Sequence, residues 1–126
     1  MSPFLSRESR VATDCTVAVL LVESASDRIV AGPVMGTLCN ISEMGACIEV
    51  ERPMASGHHL FYEALGVTTC SLVVEGVVPS KDSTSFSVVA SAVWMNGTDE
   101  ERPAGFRIGL RFRERQAQLC RRFKRL

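Results

Sequence analysis

Apolar residues alternate with polar or small residues along most of the chain, a period of two that is typical of β-strands burying one face. The clearest segment is "FRIGLRF" (residues 106–112), in which every second residue is a large apolar one and arginine and glycine stand between. Successive side chains of a strand point to opposite sides of the sheet. The segment therefore predicts a strand with one buried side and one side facing solvent.

The same pattern predicts six further strands, joined by segments rich in Gly, Pro, Ser, Asn and Asp. They cover residues 12–22, 34–39, 44–50, 59–64, 68–78 and 85–95. The spacing of their centres is close to the roughly 8–12 residues that are typical of all-β barrels and sandwiches. In the strand at 85–95 we expect Trp94 on the buried face, which favours core packing over base stacking for this residue.

One helix is predicted at the C-terminal end, over about residues 114–125. Leu119, Phe123 and Leu126 fall at i, i+4 and i+7 with Cys120 beside them, and they form one apolar stripe on an otherwise basic helix. We expect this stripe to pack across an open end or seam of the sheet. The predicted fold class is thus all-β, a small antiparallel barrel of six to seven strands with one C-terminal α-helix.

The composition is that of a globular protein of one domain. The chain has 126 residues, of which 46% are apolar and 22% charged. No apolar run approaches the roughly 20 residues that span a bilayer, and the N-terminus lacks the basic-then-apolar order of a secretory signal. Five cysteines, an odd number, show no C-x-x-C spacing, which indicates free thiols and not a disulfide or zinc site. We expect a cytoplasmic protein.

The net charge of zero conceals an asymmetry. Residues 107–126 carry eight basic groups and one acidic group, whereas residues 1–106 carry six basic and thirteen acidic groups, so the two segments have charges of +7 and −7. This division indicates an anionic partner for the C-terminal end or attraction between the two parts of the fold. A solvated charged helix face is an equally good interpretation.

Small polar residues interrupt the strand pattern at "NISEMG" (40–45), which holds Asn40, Ser42 and Gly45. Asparagine offers an acceptor and two donors on one edge, and serine offers a small rotatable hydroxyl. Glycine permits a positive φ or the close approach of another group to the backbone. These properties suit a site that reads a nucleobase edge beside a phosphate. The alternative is that Asn40 and Ser42 cap a turn and Gly45 forms a bulge.

The sequence contains no spacing of residues that is typical of a catalytic site. No Ser/His/Asp or Cys/His spacing and no Gly-rich phosphate loop occurs. His58 and His59 are adjacent, so on a strand they point to opposite faces and cannot together hold one metal. Glu49 and Glu51 share a face but are expected to be solvated. We predict no enzyme activity, no catalytic residue, no metal site and no cofactor.

The order of these features resembles the PilZ domain family, small bacterial barrels that bind the second messenger cyclic di-GMP. "CNISEMGACIEV" (39–50) matches the family motif (D/N)-x-S-x-x-G and the apolar strand after it. "SAVWM" (91–95) followed by "GFRIGLRF" (105–112) resembles its last two strands. The resemblance covers roughly residues 7–126. It implies a flexible N-terminal arm over residues 1–11 and a PilZ-like split barrel with its helix over residues 12–126.

The resemblance also implies a set of ligand-binding residues. In the family an R-x-x-x-R pair near the N-terminus binds the phosphates and stacks on the guanines. The second motif, (D/N)-x-S-x-x-G, contacts guanine and phosphate from the barrel surface. Asn40, Ser42 and Gly45 fill the second motif. Arg7 and Arg10 stand at R-x-x-R spacing, one residue short of the family's pair. The predicted ligand is cyclic di-GMP, held by Arg7, Arg10, Asn40, Ser42 and Gly45.

Three functions remain open at this point. The first is a cyclic di-GMP receptor or effector that signals when the ligand orders the N-terminal arm and alters protein–protein contacts. The second is a PilZ-like adaptor that has lost nucleotide binding because the arginine motif is incomplete. The third is a nucleic-acid-binding barrel that uses the basic helix. A protein partner is expected in the first two, with the basic C-terminal helix as its contact surface, and no membrane span is expected.

Overall fold

The structure is a computed structural model that describes residues 10–66, 68–97 and 105–126. Within these ranges the chain forms eight strands and two helices. The elements are β1 (Val11–Glu23), β2 (Ile29–Ile41), β3 (Gly45–Val50), β4 (Met54–Ala55), β5 (His58–His59), α1 (Leu60–Glu63), β6 (Cys70–Val77), β7 (Ser85–Gly97), β8 (Phe106–Phe112) and α2 (Ala117–Lys124).

Six of the strands close into an antiparallel barrel in the order β1-β2-β3-β8-β7-β6, and β6 pairs back to β1. Strands β4 and β5 form a separate two-stranded sheet in the connection after β3. The predicted fold class, an all-β antiparallel barrel with a C-terminal helix, is therefore confirmed. Closure leaves each of the six strands with a neighbour on both sides, which removes the exposed edges of an open sheet.

The core consists of the inward-facing residues of the barrel strands. In β8, Ile108, Leu110 and Phe112 are buried, while Arg107 and Arg111 are exposed on the outer side. The alternation that the sequence predicts for this strand is thus present. The outer face of the same strands is not part of this core, and it carries the candidate site.

The prediction of a strand over residues 59–64 is wrong, because this segment holds the helix α1. His59 is its N-cap: its ring Nδ1 accepts hydrogen bonds from the backbone N–H groups of Phe61 and Tyr62, both at 3.2 Å. Glu63 accepts from the backbone N–H of His59 at 2.6 Å. Leu60 and Ala64, four residues apart, are both fully buried, so the segment buries its apolar side with a helical period.

Helix α2 lies within the predicted range and packs on its own barrel. Leu119, Cys120 and Phe123 are buried, and the Phe123 ring meets Phe86 of β7 edge to face with centroids 5.9 Å apart. Leu126, which we expected on the same apolar stripe, is 60% exposed. The helix ends at Lys124, where the N–H of Arg125 bonds back to the last carbonyls, so Leu126 lies beyond the helical period.

Residues 1–9, which make up most of the predicted N-terminal arm and include Arg7, lie outside the described residues. The structure therefore reports on Arg10 but not on Arg7. In the three described ranges, neither helix has the length and apolar content that crossing a membrane requires.

The contrast between Phe123 and Leu126 gives a test of the helix packing. Phe123→Ala removes a buried ring and should lower the free energy of unfolding by about 3–5 kcal/mol. Leu126→Ala truncates an exposed side chain and should stay within about 0.5 kcal/mol of wild type. Urea unfolding followed by circular dichroism measures both. Equal losses in the two variants would contradict the packing described for α2.

Candidate functional site

Four of the five predicted site residues line one shallow hollow on the outer face of the barrel. Arg10, Asn40, Ser42 and Gly45 surround it together with Trp94, and its volume is about 20 Å³. The fifth, Arg7, lies outside the described residues. Residues from the N-terminal segment, the β2–β3 hairpin and β7 are therefore brought to one place by the barrel.

The sheet register explains this convergence. One outward-facing row crosses five strands: Ala12 of β1 is opposite Asn40 of β2, Asn40 is opposite Cys47 of β3, Cys47 is opposite Gly109 of β8, and Gly109 is opposite Trp94 of β7. Neighbouring strands lie about 4.8 Å apart, so the row is on the order of 20 Å long. It has small residues in the middle and the larger Asn40 and Trp94 toward its ends. We call this row the platform.

The prediction that Trp94 shares the buried face of its strand is wrong. In β7, Ala92 pairs with Leu110 and Trp94 pairs with Gly109, and these two partners are adjacent in β8. Val93 is therefore an extra residue in β7, with no residue opposite it in this register. Such a bulge shifts the side-chain alternation by one residue. Ala92 therefore points into the core, whereas Trp94 lies half-buried on the platform. A Cβ atom at position 109 would overlap the indole ring, so only glycine leaves room for Trp94 in this position.

Ser42 closes the turn between β2 and β3. Its backbone N–H donates to the Gly45 carbonyl at 2.8 Å, and its hydroxyl oxygen accepts from the Gly45 N–H at 3.2 Å. The hydroxyl also lies 3.2 Å from the Gly45 carbonyl, to which it donates. Ser42 is only 6% exposed. The turn-capping role that the sequence left open is therefore real, and one acceptor lone pair of the hydroxyl remains for a further donor.

Gly45 is required by close packing of two backbones and not by a positive φ. A Cβ atom at this position would overlap the carbonyl oxygen of Leu110 in the neighbouring strand β8. Gly45 does not have a positive φ angle, unlike Gly32, Gly57 and Gly66. The motif glycine thus permits the tight pairing of β3 with β8, and Gly45 sits opposite Arg111 in that pairing.

The motif turn is also bonded to the segment that leads into α2. The N–H of Phe112 donates to the Met44 carbonyl at 2.8 Å, and the N–H of Gln116 donates to the Glu43 carbonyl at 2.7 Å. The Arg115 guanidinium pairs with the Glu43 carboxylate. The acidic side chain inside the motif is therefore neutralised by a partner from outside it.

Two thiols lie beside the motif. Burial, and then the neighbouring Cys39, raise the pKa of the Cys47 thiol to about 11, and burial also raises the pKa of Cys39. Both cysteines are free. Arg107 and Glu49, the next outward pair of the same strands, form an ion pair at 3.2 Å. Cys47 is therefore a protonated, small and nearly apolar part of the platform at neutral pH.

The two histidines make contacts with the short helix α1. His59 caps α1, and Nδ1 of His58 lies 2.8 Å from Oε1 of Glu63, a contact that contributes to the lowered pKa of that carboxyl group. Across the described ranges, no group of three or more His, Cys, Asp or Glu side chains is placed to hold a metal ion.

Sequence reasoning missed Trp94 and Gly109 as residues of the site. Two signals were available. "VWM" (93–95) puts three apolar residues in succession, which strict alternation cannot accommodate and which indicates a bulge. Gly109 lies between Ile108 and Leu110, on the outer side of a strand whose inner side is apolar, where a glycine marks the close approach of another group.

Comparison with protein-family profiles matches the PilZ domain over residues 5–126, almost the whole chain. The chain belongs to the PilZ domain family. This is a family of cyclic di-GMP receptors and effectors and not generally one of catalysts. Comparison with curated proteins and comparison with solved structures gave no match. The hollow bounded by Asn40, Ser42 and Gly45 is where this PilZ domain carries its (D/N)-x-S-x-x-G motif.

The packing at Gly45 gives a second test. Gly45→Ala forces β3 and β8 apart and should lower the free energy of unfolding by about 1–3 kcal/mol, the usual effect of inserting a methyl group where there is no space. Gly97→Ala is the matched control, because a Cβ there meets nothing within 4 Å. The control should remain within about 0.5 kcal/mol of wild type in urea unfolding. A Gly45 variant as stable as this control would contradict the described approach of Leu110.

The raised pKa of Cys47 gives a third test, through the dependence of stability on pH. Between its ordinary value of 9.0 and about 11, the folded state keeps a proton that the unfolded chain has lost. The free energy of unfolding therefore falls as pH rises through this window. Cys47→Ala lacks this contribution, so its unfolding free energy should fall less between pH 8.5 and 11 than that of wild type. Parallel curves would show that Cys47 titrates normally.

Proposed function

We propose that this PilZ domain is a cyclic di-GMP receptor in which the ligand binds across the platform and orders the N-terminal arm. The observation that carries the proposal is the convergence of Arg10, Asn40, Ser42 and Gly45 on one hollow beside Trp94. The first four come from the two segments that the PilZ family uses for its ligand. The last is an aromatic ring that the fold presents on the outside of the barrel.

Each of these groups suits one part of the ligand. The Arg10 guanidinium is exposed and offers a planar fork of donors to phosphate oxygens. The Asn40 amide offers a donor and an acceptor to a guanine edge. The Trp94 ring lies close to Gly109 and is half-buried, and we propose that it stacks on a base, an interaction worth about 1–3 kcal/mol per base.

Signalling follows from the position of Arg10 in the chain. This residue immediately precedes β1, so a ligand held by Arg10 also draws residues 1–9, including Arg7, toward the barrel surface. An arm ordered in this way alters the protein surface offered to a partner, a disorder-to-order switch. The exposed basic side of α2, with Arg121, Lys124 and Arg125, is the contact surface that we propose for an acidic protein partner.

A second function, that of an adaptor without a nucleotide, is favoured by a different observation. The Ser42 hydroxyl is engaged in its own turn, and the hollow of about 20 Å³ is too small to enclose a dinucleotide. The arginine pair is also one residue short of the family's pattern. In this alternative the motif serves as a turn, and partner binding by the barrel and α2 is independent of nucleotide.

Trp94 is the only tryptophan in the chain, so its fluorescence reports directly on the platform. Titration with cyclic di-GMP at near-physiological salt should change this fluorescence saturably, and calorimetry should give the same affinity. Arg10→Ala should weaken binding roughly ten- to a hundredfold, because a charge-assisted phosphate contact is lost. Arg52→Ala is the matched control, since Arg52 is exposed just after β3, at the opposite end of that strand from the motif.

The outcomes separate the two functions. Saturable binding that Arg10→Ala weakens and Arg52→Ala does not weaken supports the receptor. Unchanged fluorescence and flat heats for the wild-type protein would overturn the receptor and favour the adaptor. Binding of equal strength in both variants would show that the nucleotide binds elsewhere on the protein.

A further inference from the structure

A larger cavity lies next to the hollow on the outer side of the barrel. Its volume is about 720 Å³, and it extends over the start of β6, the middle of β7 and the end of β8, beside the segment that follows α1. Val93 borders both spaces. Ligand pockets for small molecules typically measure about 300–1,000 Å³, so this cavity has the size that the motif hollow lacks.

Arg111 connects the cavity with the motif. It lines the cavity, and in the sheet register it stands directly between Gly45 of β3 and Ser91 of β7. Its neighbours in β8, Leu110 and Phe112, are buried, so Arg111 points outward, and it is exposed. Because the residue opposite is a glycine, no side chain from that position separates Arg111 from the motif turn. Asn40 and Arg111 are two strands apart, about 10 Å across the sheet.

Arg113 also lines the cavity and is held by Ser71, which in turn bonds to Ser24. Its Nη2 donates to the hydroxyl of Ser71 at 2.9 Å, and this hydroxyl is 2.7 Å from that of Ser24. Ser71 is only 7% exposed, so the contact anchors the guanidinium to the barrel wall. An arginine has five N–H donors, and this bond uses one of them. Two arginines and several serines thus line the cavity, and one of these arginines is held by a serine hydroxyl.

We infer that Arg111 and Arg113 form a second phosphate-binding subsite, continuous with the motif site. This inference rests on the proposed function and specifies it further. A cyclic dinucleotide carries two phosphodiester groups and two bases. One phosphate is held by Arg10 at the motif hollow, and the other by Arg111 and Arg113 in the cavity, with Val93 at the border between them.

With this subsite, the protein binds both phosphates although its N-terminal arginine pair is one residue shorter than the family's pattern. A guanidinium fork binds phosphate oxygens equally well from a strand as from an arm, provided that its position matches the phosphate. In this chain, Arg111 of β8 and Arg113 just after it supply positive charge at places that the sheet register and the bond to Ser71 fix. Strong binding then depends less on an arm of two correctly spaced arginines.

The test compares two double variants that lose the same charge. The first, Arg111→Ala with Arg113→Ala, is called the β8 variant and removes one arginine of β8 and one just after it, which empties the proposed subsite. The second, Arg121→Ala with Arg125→Ala, is called the α2 variant and removes an exposed arginine of α2 and the exposed arginine at its C-cap. Calorimetric titration with cyclic di-GMP should show an affinity at least roughly tenfold lower for the β8 variant. The α2 variant should stay within about threefold of wild type, because distant surface charges are screened.

Folding and charge are controlled separately. Thermal unfolding is measured for both variants, and Arg111→Ala alone is titrated as well, since Arg113 also bonds to Ser71 and its loss affects the barrel wall. Arg111→Lys keeps the charge but loses the fork, and it should restore only part of the affinity.

Each possible result either supports or overturns the proposed subsite. A loss confined to the β8 variants, in protein that unfolds near the wild-type temperature, supports the subsite. Equal losses in the β8 and α2 variants would show general charge attraction and overturn it. Wild-type affinity in the β8 variants, together with weakened binding in Arg10→Ala, would overturn the subsite and leave the receptor function intact. No binding by the wild-type protein would overturn both.

Discussion

The pairing of β3 with β8 is the contact on which the rest of the structure depends. These strands are distant in the sequence, and they join the β1–β2–β3 part of the barrel to the β6–β7–β8 part. At Gly45 the two backbones approach so closely that no side chain fits between them. This pairing places Gly109 beside Cys47 and Arg111 beside Gly45. This pairing therefore joins the two halves of the platform and places Arg111, which lines the neighbouring cavity, next to the motif glycine.

Core and candidate site use opposite faces of the same strands. In β8 the inward residues Ile108 and Leu110 are buried, while Gly109 and Arg111 belong to the outer side. Outward substitutions in such a sheet usually change stability by small amounts, whereas inward ones leave cavities. Ser42 is an exception, because its hydroxyl closes the hairpin and also borders the hollow. Loss of binding in a Ser42 variant therefore needs a measurement of stability beside it.

Much of the fold was predictable, because alternation over whole strands is a strong signal. It identified the barrel, and the helical spacing of Leu119 and Phe123 identified α2 and the face that it buries. The errors arise where one residue changes the period. The extra residue Val93 places Trp94 on the outer face of β7. The apolar segment after His59, predicted as a strand, is a short helix that His59 caps. The first effect is signalled in the sequence only by the unbroken apolar run "VWM" (93–95), and the second is not visible in a pattern of apolar and polar residues alone.

The site was predictable in part for a similar reason. The motif residues Asn40, Ser42 and Gly45 are close in sequence, and the resemblance to PilZ domains identified them. Trp94 and Arg111 reach the same surface only through the register of β3, β7 and β8, which is set by the whole barrel. Arg7 stays a prediction, since it lies outside the described residues.

The hydrogen bonds between the motif turn and the segment before α2 affect how a truncated chain must be interpreted. The carbonyls of Glu43 and Met44 accept from the N–H groups of Gln116 and Phe112, and Glu43 has its charge partner in Arg115. A chain shortened before residue 115 lacks Arg115 and Gln116 and leaves an unpaired carboxylate at Glu43, beside the site that we propose for cyclic di-GMP. We expect such a chain to bind the nucleotide weakly even if the helix makes no contact with it. Deletion of the C-terminus therefore does not separate a ligand-binding barrel from a partner-binding helix in this protein.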